Sequence, residues 1–118
     1  MYNTHIWRDK SMSNRLFQAI VHQMTDAIDR TIGVIDESGT VISCSELGRI
    51  GEVLSPEVTA VFQNSEPAVV NGYAYKAFGT HMHPEYAVFV EGDDELAEKY
   101  TAVMAVTLSS IKQYYDEK

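Results

Sequence analysis

The segment from Ile32 to Ser43 constrains the fold most, because β-branched residues lie on both sides of the turn signal Asp36-Glu37-Ser38-Gly39. Glycine readily adopts the left-handed conformation that closes such a turn, and an aspartate side chain can accept hydrogen bonds from the turn amides. The segment therefore predicts a β-hairpin, and with it a fold organised around a sheet.

Amphipathic helices are predicted at both ends of the chain. Between Ser13 and Asp29 apolar residues recur at spacings of three and four, and Ser13 or Asn14 can cap the start of a helix. A second helix is predicted from the acidic segment after Gly92 to about Tyr115, without an internal glycine or proline. The apolar positions of these helices are Leu16, Phe17, Ile20, Val21, Met24, Ala27 and Ile28, and then Leu96, Tyr100, Val103, Met104, Leu108, Ile111 and Tyr115.

Short elements are predicted between the hairpin and the second long helix. Asn71-Gly72 is a strong signal for a tight turn, and Ser55 can cap a short helix that has Pro56 in its first turn and ends near Asn64. The further predicted strands are Ala68 to Val70, Tyr73 to Phe78 and Tyr86 to Val90, with a loop from Gly79 to Glu85. This order predicts an α+β fold with one five-stranded antiparallel sheet, flanked by an N-terminal helix and a long C-terminal helix. It is also the layout of PAS and GAF sensor domains.

The size and charge of the chain limit the kinds of protein that it can be. Its 118 residues suit one domain, predicted as residues 12–118, and residues 1–11 are interpreted as a tag or a flexible arm. The formal net charge of −8 would repel a phosphate backbone, so we expect no direct nucleic-acid binding. No apolar run approaches the roughly 18 residues of a membrane helix, and the lone Cys44 cannot form an internal disulfide. We therefore expect a cytoplasmic protein without membrane contact.

The residues from Gly33 to Glu52, GVIDESGTVISCSELGRIGE, include the hairpin and the triplet Arg49-Ile50-Gly51. This stretch resembles the sugar-diacid recognition domain of CdaR-like and PucR-type bacterial transcription regulators. After it the chain reads Val53-Leu54-Ser55-Pro56, where that family has a histidine-containing segment. The resemblance implies a sensor domain whose C-terminal helix leads towards a DNA-binding domain that this chain lacks.

Arg49, Tyr73, Tyr75 and Cys44 form the predicted ligand-binding set. A planar guanidinium can hold a carboxylate through two parallel hydrogen bonds, although Arg49 could equally pair with Glu46 or Glu52 to fix its loop. Tyr73 and Tyr75 are expected to share one face of their strand, where phenol groups can fix polar ligand atoms, with Phe78 on the other face. Core packing explains these aromatic residues as well, and a buried structural role suits the thiol of Cys44.

His81 and His83, with Glu85 nearby, could bring two imidazoles and a carboxylate to one cation. No further motif of metal ligands accompanies them, so a solvated loop is the favoured interpretation and we expect no cofactor. A metal-dependent enzyme that uses this loop remains an alternative.

The sequence thus predicts a ligand-sensing, homodimeric domain that is not an enzyme and binds a small carboxylate. The apolar seams of the two long helices could pair between two copies, or one seam could cover the sheet. A homodimerisation module without a ligand is the alternative from another class.

Overall fold

The computed structural model describes residues 4–80 and 83–116, with side chains for residues 12–79 and 83–116. Neither long helix in this part of the chain has the length and apolar character needed to cross a membrane. The elements are α1 (Thr4–Met24), β1 (Ile32–Asp36), β2 (Val41–Cys44), a 3-10 helix (Leu47–Arg49), a second 3-10 helix (Pro56–Gln63), β3 (Ala68–Val70), β4 (Tyr73–Thr80), β5 (His83–Glu91) and α2 (Glu95–Asp116).

The five strands form one antiparallel sheet in the order β2-β1-β5-β4-β3. The predicted α+β fold, with a helix at each end of the chain, is therefore confirmed. The two long strands β4 and β5 lie side by side, and β1 pairs with the other edge of β5. The first hairpin thus occupies one end of the sheet, and the hairpin of β3 and β4 occupies the other.

Both predicted turns have the expected chemistry. The Asp36 Oδ1 atom accepts hydrogen bonds from the backbone amides of Ser38 at 3.0 Å and Thr40 at 3.1 Å, and Gly39 has a φ of +85°. In the second turn Asn71 and Gly72 have φ values of +51° and +83°, the left-handed pair that a two-residue hairpin requires. The turn residues therefore fix where each hairpin reverses.

The sheet buries apolar side chains on both faces. We call the side covered by α1 and α2 the helix face, and the side covered by the two 3-10 helices the loop face. The helix face carries the buried residues Phe17, Val21, Ile28, Ile32, Val34, Ala74, Phe78, Tyr86, Val88, Val90, Ala97, Met104, Ala105 and Leu108. The loop face carries Ile35, Val41, Cys44, Val58, Val61, Tyr75, Ala87 and Phe89, with Tyr73 packed against them.

Part of each predicted helix seam packs on the sheet of the same chain. Phe17 of α1 makes edge-to-face contacts with Phe78 and Tyr86, at centroid separations of 5.5 and 4.9 Å. Met104 and Leu108 of α2 belong to the same buried cluster. Within one copy of the chain, these residues therefore serve the core.

Helix α1 differs from its prediction at both ends. It begins at Thr4 instead of Ser13, so residues 4–11 are helical, and their interpretation as part of a tag or arm stays a prediction. The segment contains neither glycine nor proline, so the helix can continue there without a regular apolar period. It ends at Met24 instead of Asp29, where the Thr25 hydroxyl donates to the His22 carbonyl at 2.6 Å.

The loop predicted from Gly79 to Glu85 is wrong, since β4 continues to Thr80 and β5 begins at His83. A register shift between Phe78 and Gly79, together with the Gly79 φ of +153°, lets the pairing continue past this point. Proline is tolerated in strands at such irregularities, and Pro84 lies opposite Gly79. The extended pairing makes β4 and β5 the longest strands of the sheet.

Candidate ligand site around Arg49

Arg49 ends the first 3-10 helix, which follows directly after the edge strand β2. The next turn carries Gly51 with a φ of +98°, and it returns the chain to β2, where the Gly51 amide donates to the Val41 carbonyl and the Val41 amide donates to the Glu52 carbonyl, each at 2.8 Å. The loop is therefore fastened to the edge of the sheet. Its position lets the long Arg49 side chain reach across the loop face.

The Arg49 guanidinium lies over aromatic rings of two neighbouring strands. Its Cζ atom is 5.3 Å from the ring centroid of Tyr73 on β4 and 5.6 Å from that of Phe89 on β5. Its Nη1 atom donates to the Tyr73 hydroxyl at 3.0 Å. The contacts combine cation–π attraction with a charge-assisted hydrogen bond, so the guanidinium has a defined orientation.

Two carboxylates of its own loop also approach Arg49. Its Nε atom donates to Glu52 Oε1 at 2.9 Å, and Nη1 lies 3.9 Å from Glu46 Oε1. Burial lowers the pKa of Arg49, but the hydrogen bonds with Glu52 and Tyr73 raise it, and the net pKa lies above its usual value. Arg49 therefore makes the ion pairs with Glu52 and Glu46 that were the structural alternative to ligand binding.

Arg49 keeps donor capacity beyond these contacts. A guanidinium has five N–H donors. Two hydrogen bonds engage Nε and Nη1, and Nη2 makes none with the described residues. The side chain is 23% exposed, so solvent reaches it. A partly covered arginine with unused donors can bind an anionic group from solution.

The other predicted residues lie below this guanidinium. Tyr75 is buried, its ring centroid is 5.9 Å from that of Phe89, and burial raises the pKa of its phenol to about 12. Cys44 is fully buried, burial raises the pKa of its thiol, and its Sγ accepts the Glu46 amide at 3.4 Å. The structure therefore brings Arg49, Tyr73, Tyr75 and Cys44 to one face. Only Arg49 and Tyr73 lie near its surface.

Phe89 is a central residue of this site that the sequence analysis did not single out. Its ring packs edge-to-face against Tyr73 at 5.7 Å and fills the space that Gly33 leaves open on β1. A Cβ atom on Gly33 would lie 2.5 Å from the Phe89 ring. A glycine inside a strand is a signal for such a close approach, but the sequence did not indicate which side chain approaches.

The predicted loop with His81 and His83 lies only partly within the described residues. His81 lies outside the described residues, and the His83 Nε2 atom is 2.7 Å from Glu37 Oε2 in the first hairpin turn. Within residues 4–80 and 83–116, no group of three or more potential ligand side chains could hold a metal ion. The described residues thus provide no support for the metal-dependent alternative.

A family model described as "Putative sugar diacid recognition" matches residues 12–94, which include both hairpins and the whole loop face. No curated protein matches the chain. The match confirms the resemblance drawn from Gly33 to Glu52, and it denotes a recognition family and not a catalytic one. The chain therefore belongs to the sugar-diacid recognition family.

Proposed function

We propose that this domain senses a small carboxylate, of which a sugar diacid is the first candidate, within a cytoplasmic bacterial transcription regulator. The family match supports recognition of a sugar diacid. The observation that carries the site assignment is the Arg49 guanidinium, which has unused donors and lies on the aromatic surface of Tyr73 and Phe89.

The contacts of Arg49 indicate how a ligand would bind. A carboxylate would take Nη2 together with Nη1, the pair of donors that permits two parallel hydrogen bonds. The sugar hydroxyl groups would then face Tyr73, Glu46 and Glu52, which offer both donors and acceptors. Tyr75 and Cys44 would support the floor of the site, since both are buried beneath the surface residues.

Signalling would pass through the sheet to α2. Tyr75 and Phe89 belong to the loop face, whereas their strand neighbours Ala74 and Val88 belong to the helix face, where Met104 of α2 packs. A shift of β4 or β5 on binding would therefore change the support of α2. A ligand can move this equilibrium only by its difference in affinity for the two arrangements.

Calorimetric titration with sugar diacids, and with the corresponding monoacids, tests the assignment. Substituting Arg49→Ala should abolish measurable binding, and Arg49→Lys should weaken it, because an ammonium cannot form the bidentate contact. Arg15→Ala is the matched control, since it removes the same charge from an exposed position on α1. Unchanged affinity in Arg49→Ala would contradict the site, and no binding of any acid to the unmodified domain would contradict the proposed function.

A second candidate function is homodimerisation without a ligand. Leu96, Val103 and Val106 of α2 follow a helical spacing of seven and three, and they are 45%, 61% and 67% exposed. An apolar stripe on the side of α2 away from the core is suited to pairing with a second copy. Sedimentation of the unmodified chain and of Val106→Glu tests the assembly: a dimer should dissociate in the variant, and a monomeric unmodified chain would contradict this candidate.

A further inference from the structure

A groove of about 530 Å³ lies at the edge of the sheet beyond β3. Its walls are the second half of β4, Pro84 of β5, the end of the second 3-10 helix with the segment that follows it, and α2. Strand β3 pairs only with Tyr73 to Tyr75, so it leaves this part of β4 uncovered. The volume is within the range of small-molecule sites, roughly 300–1,000 Å³. Arg49 does not line this groove.

The charge of the groove differs from that of the rest of the chain. Lys76 lines it, and no aspartate or glutamate among the described residues does. Three other cavities of the described chain, by contrast, are lined by carboxylates as well as cations, namely Asp116 in one and Asp29 with Glu91 in the other two. In a protein of net charge −8, the groove is thus a local site of positive charge.

Lys76 keeps donors that no protein carboxylate uses. Its Nζ atom donates to the Ser65 carbonyl at 2.7 Å, and among the described residues it forms no ion pair. An ammonium has three donors, so two remain for solvent or a ligand. The contact with Ser65 holds Nζ at the wall of the groove, which prepares it to meet an anion without reorganisation.

The remaining lining residues include apolar side chains and serine hydroxyl groups. Phe78, Ala102 and Val106 offer an apolar surface, whereas Ser109 and Ser110 offer hydroxyl groups on the same helix. A ligand that matches this lining has one anionic group for Lys76 and a short apolar body. A sugar diacid does not match it, because hydroxyl groups cover most of such a molecule.

We propose that the groove between β4 and α2 is a second ligand site, which binds a small organic monocarboxylate through Lys76. The carboxylate receives hydrogen bonds from Nζ, and the alkyl or aryl body lies on Ala102 and Val106. Because α2 forms one wall, occupancy acts on this helix directly and not through the sheet.

The test is an NMR titration of backbone amides in the full ¹⁵N-labelled chain with hexanoate, and with hexanamide as the neutral counterpart of similar shape. Hexanoate should shift the amide signals of Ala77, Ala102 and Ser109, and Lys76→Gln should weaken its binding by about tenfold, the typical contribution of one charge-assisted hydrogen bond. Lys99→Gln, an exposed lysine of α2, is the control and should leave the affinity unchanged.

Two further comparisons keep the result interpretable. Hexanamide should bind much more weakly than hexanoate to the unmodified chain, a comparison that needs no variant. Arg49→Ala should leave the hexanoate-induced shifts of Ala77, Ala102 and Ser109 unchanged, so the outcome here is independent of the sugar-diacid site. The proposal is overturned if hexanoate causes no shift at the groove, if hexanamide binds as well as hexanoate, or if Lys76→Gln and Lys99→Gln have equal effects.

Discussion

The two faces of the sheet are covered by different kinds of elements. On the helix face, long helices bring whole rows of side chains, such as Phe17 and Leu108, into a continuous apolar cluster. On the loop face, the first 3-10 helix contributes no buried residue and the second contributes two, Val58 and Val61. The loop face consequently accommodates a charged side chain, Arg49, above its aromatic residues.

Arg30 and Arg49 differ in how completely the protein uses their hydrogen-bond donors. Arg30 binds both carboxylate oxygens of Asp94, at 2.6 and 2.8 Å, and its Nη1 also donates to the Glu91 carbonyl at 3.2 Å. Arg49 has single hydrogen bonds to Glu52 and Tyr73. The first arginine joins the end of the α1–β1 connection to the start of α2, whereas the second retains donors for a ligand. A ligand-binding arginine needs hydrogen-bond donors that the protein itself does not use, together with neighbouring side chains that hold the guanidinium in place.

The largest effect is expected from Phe17→Ala on the helix face. Phe17 is fully buried and contacts the rings of Phe78 and Tyr86, so its removal should lower the free energy of unfolding by about 3–5 kcal/mol. Urea denaturation measures the loss. The same change at the partly buried Phe62 on the loop face is the control and should cost clearly less. Equal losses would contradict the expected difference between the two faces.

The next effect is expected from Gly33→Ala, which tests the packing under Arg49. The new methyl group would meet the Phe89 ring at 2.5 Å and the Ser43 carbonyl at 2.6 Å, so one of them must move, at a cost of about 1–3 kcal/mol. Because Phe89 supports Arg49, ligand affinity should fall as well. Gly48→Ala, at a position with no atom within 4 Å of the added methyl group, is the control for both measurements.

A smaller effect is expected from Tyr75→Phe, and only in alkaline solution. Burial raises the pKa of Tyr75 to about 12 from an ordinary value of 10.0. A raised pKa stabilises the folded state fully below the ordinary value, and this contribution is lost as the pH rises from 10 towards 12. Between those values the unmodified chain should lose more thermal stability than Tyr75→Phe. Tyr115→Phe, at an exposed position, should not reduce that loss.

The smallest effect is expected from Asp94→Asn, since exposed ion pairs contribute little to stability. The hydrogen bonds from Arg30 hold the pKa of Asp94 well below its ordinary 3.8. A lowered pKa gives stability that is present above the ordinary value and is lost as the pH falls. The melting temperatures of the two proteins should therefore differ most near neutral pH and converge in acid. The neighbouring Asp93→Asn is the control, and a difference that grew in acid would contradict the assignment.

Much of the fold could be predicted because its signals are local. The turns at Gly39 and Asn71-Gly72 follow from backbone conformations that few other residues adopt. The extent of α2 follows from its apolar spacing and its acidic start. The start of α1 differs from its prediction because residues 4–11 lack a regular apolar period, and the loop before His83 was wrongly predicted because a bulge and a proline resemble a break in pairing.

The candidate site could be predicted only in part. Arg49, Tyr73, Tyr75 and Cys44 were named from residue chemistry, and their proximity confirms nothing about a ligand, so that role stays a prediction. Phe89 could not be found, because its contact with Gly33 depends on the register of β1 against β5, which pairs residues far apart in the sequence. The same holds for the groove at Lys76, whose walls come from four separate elements.

By itself, the sequence determined the kinds of elements, the positions of the turns and the family, because propensity, turn chemistry and motif reside in short segments. The strand order, the seam residues that pack on the sheet, and the partners of Arg30 and Arg49 follow from the three-dimensional packing. Those features depend on the packing of segments that are distant along the chain. The hairpin from Ile32 to Ser43 could therefore be predicted from its own residues, whereas the aromatic surface beside it depends on the neighbouring strands.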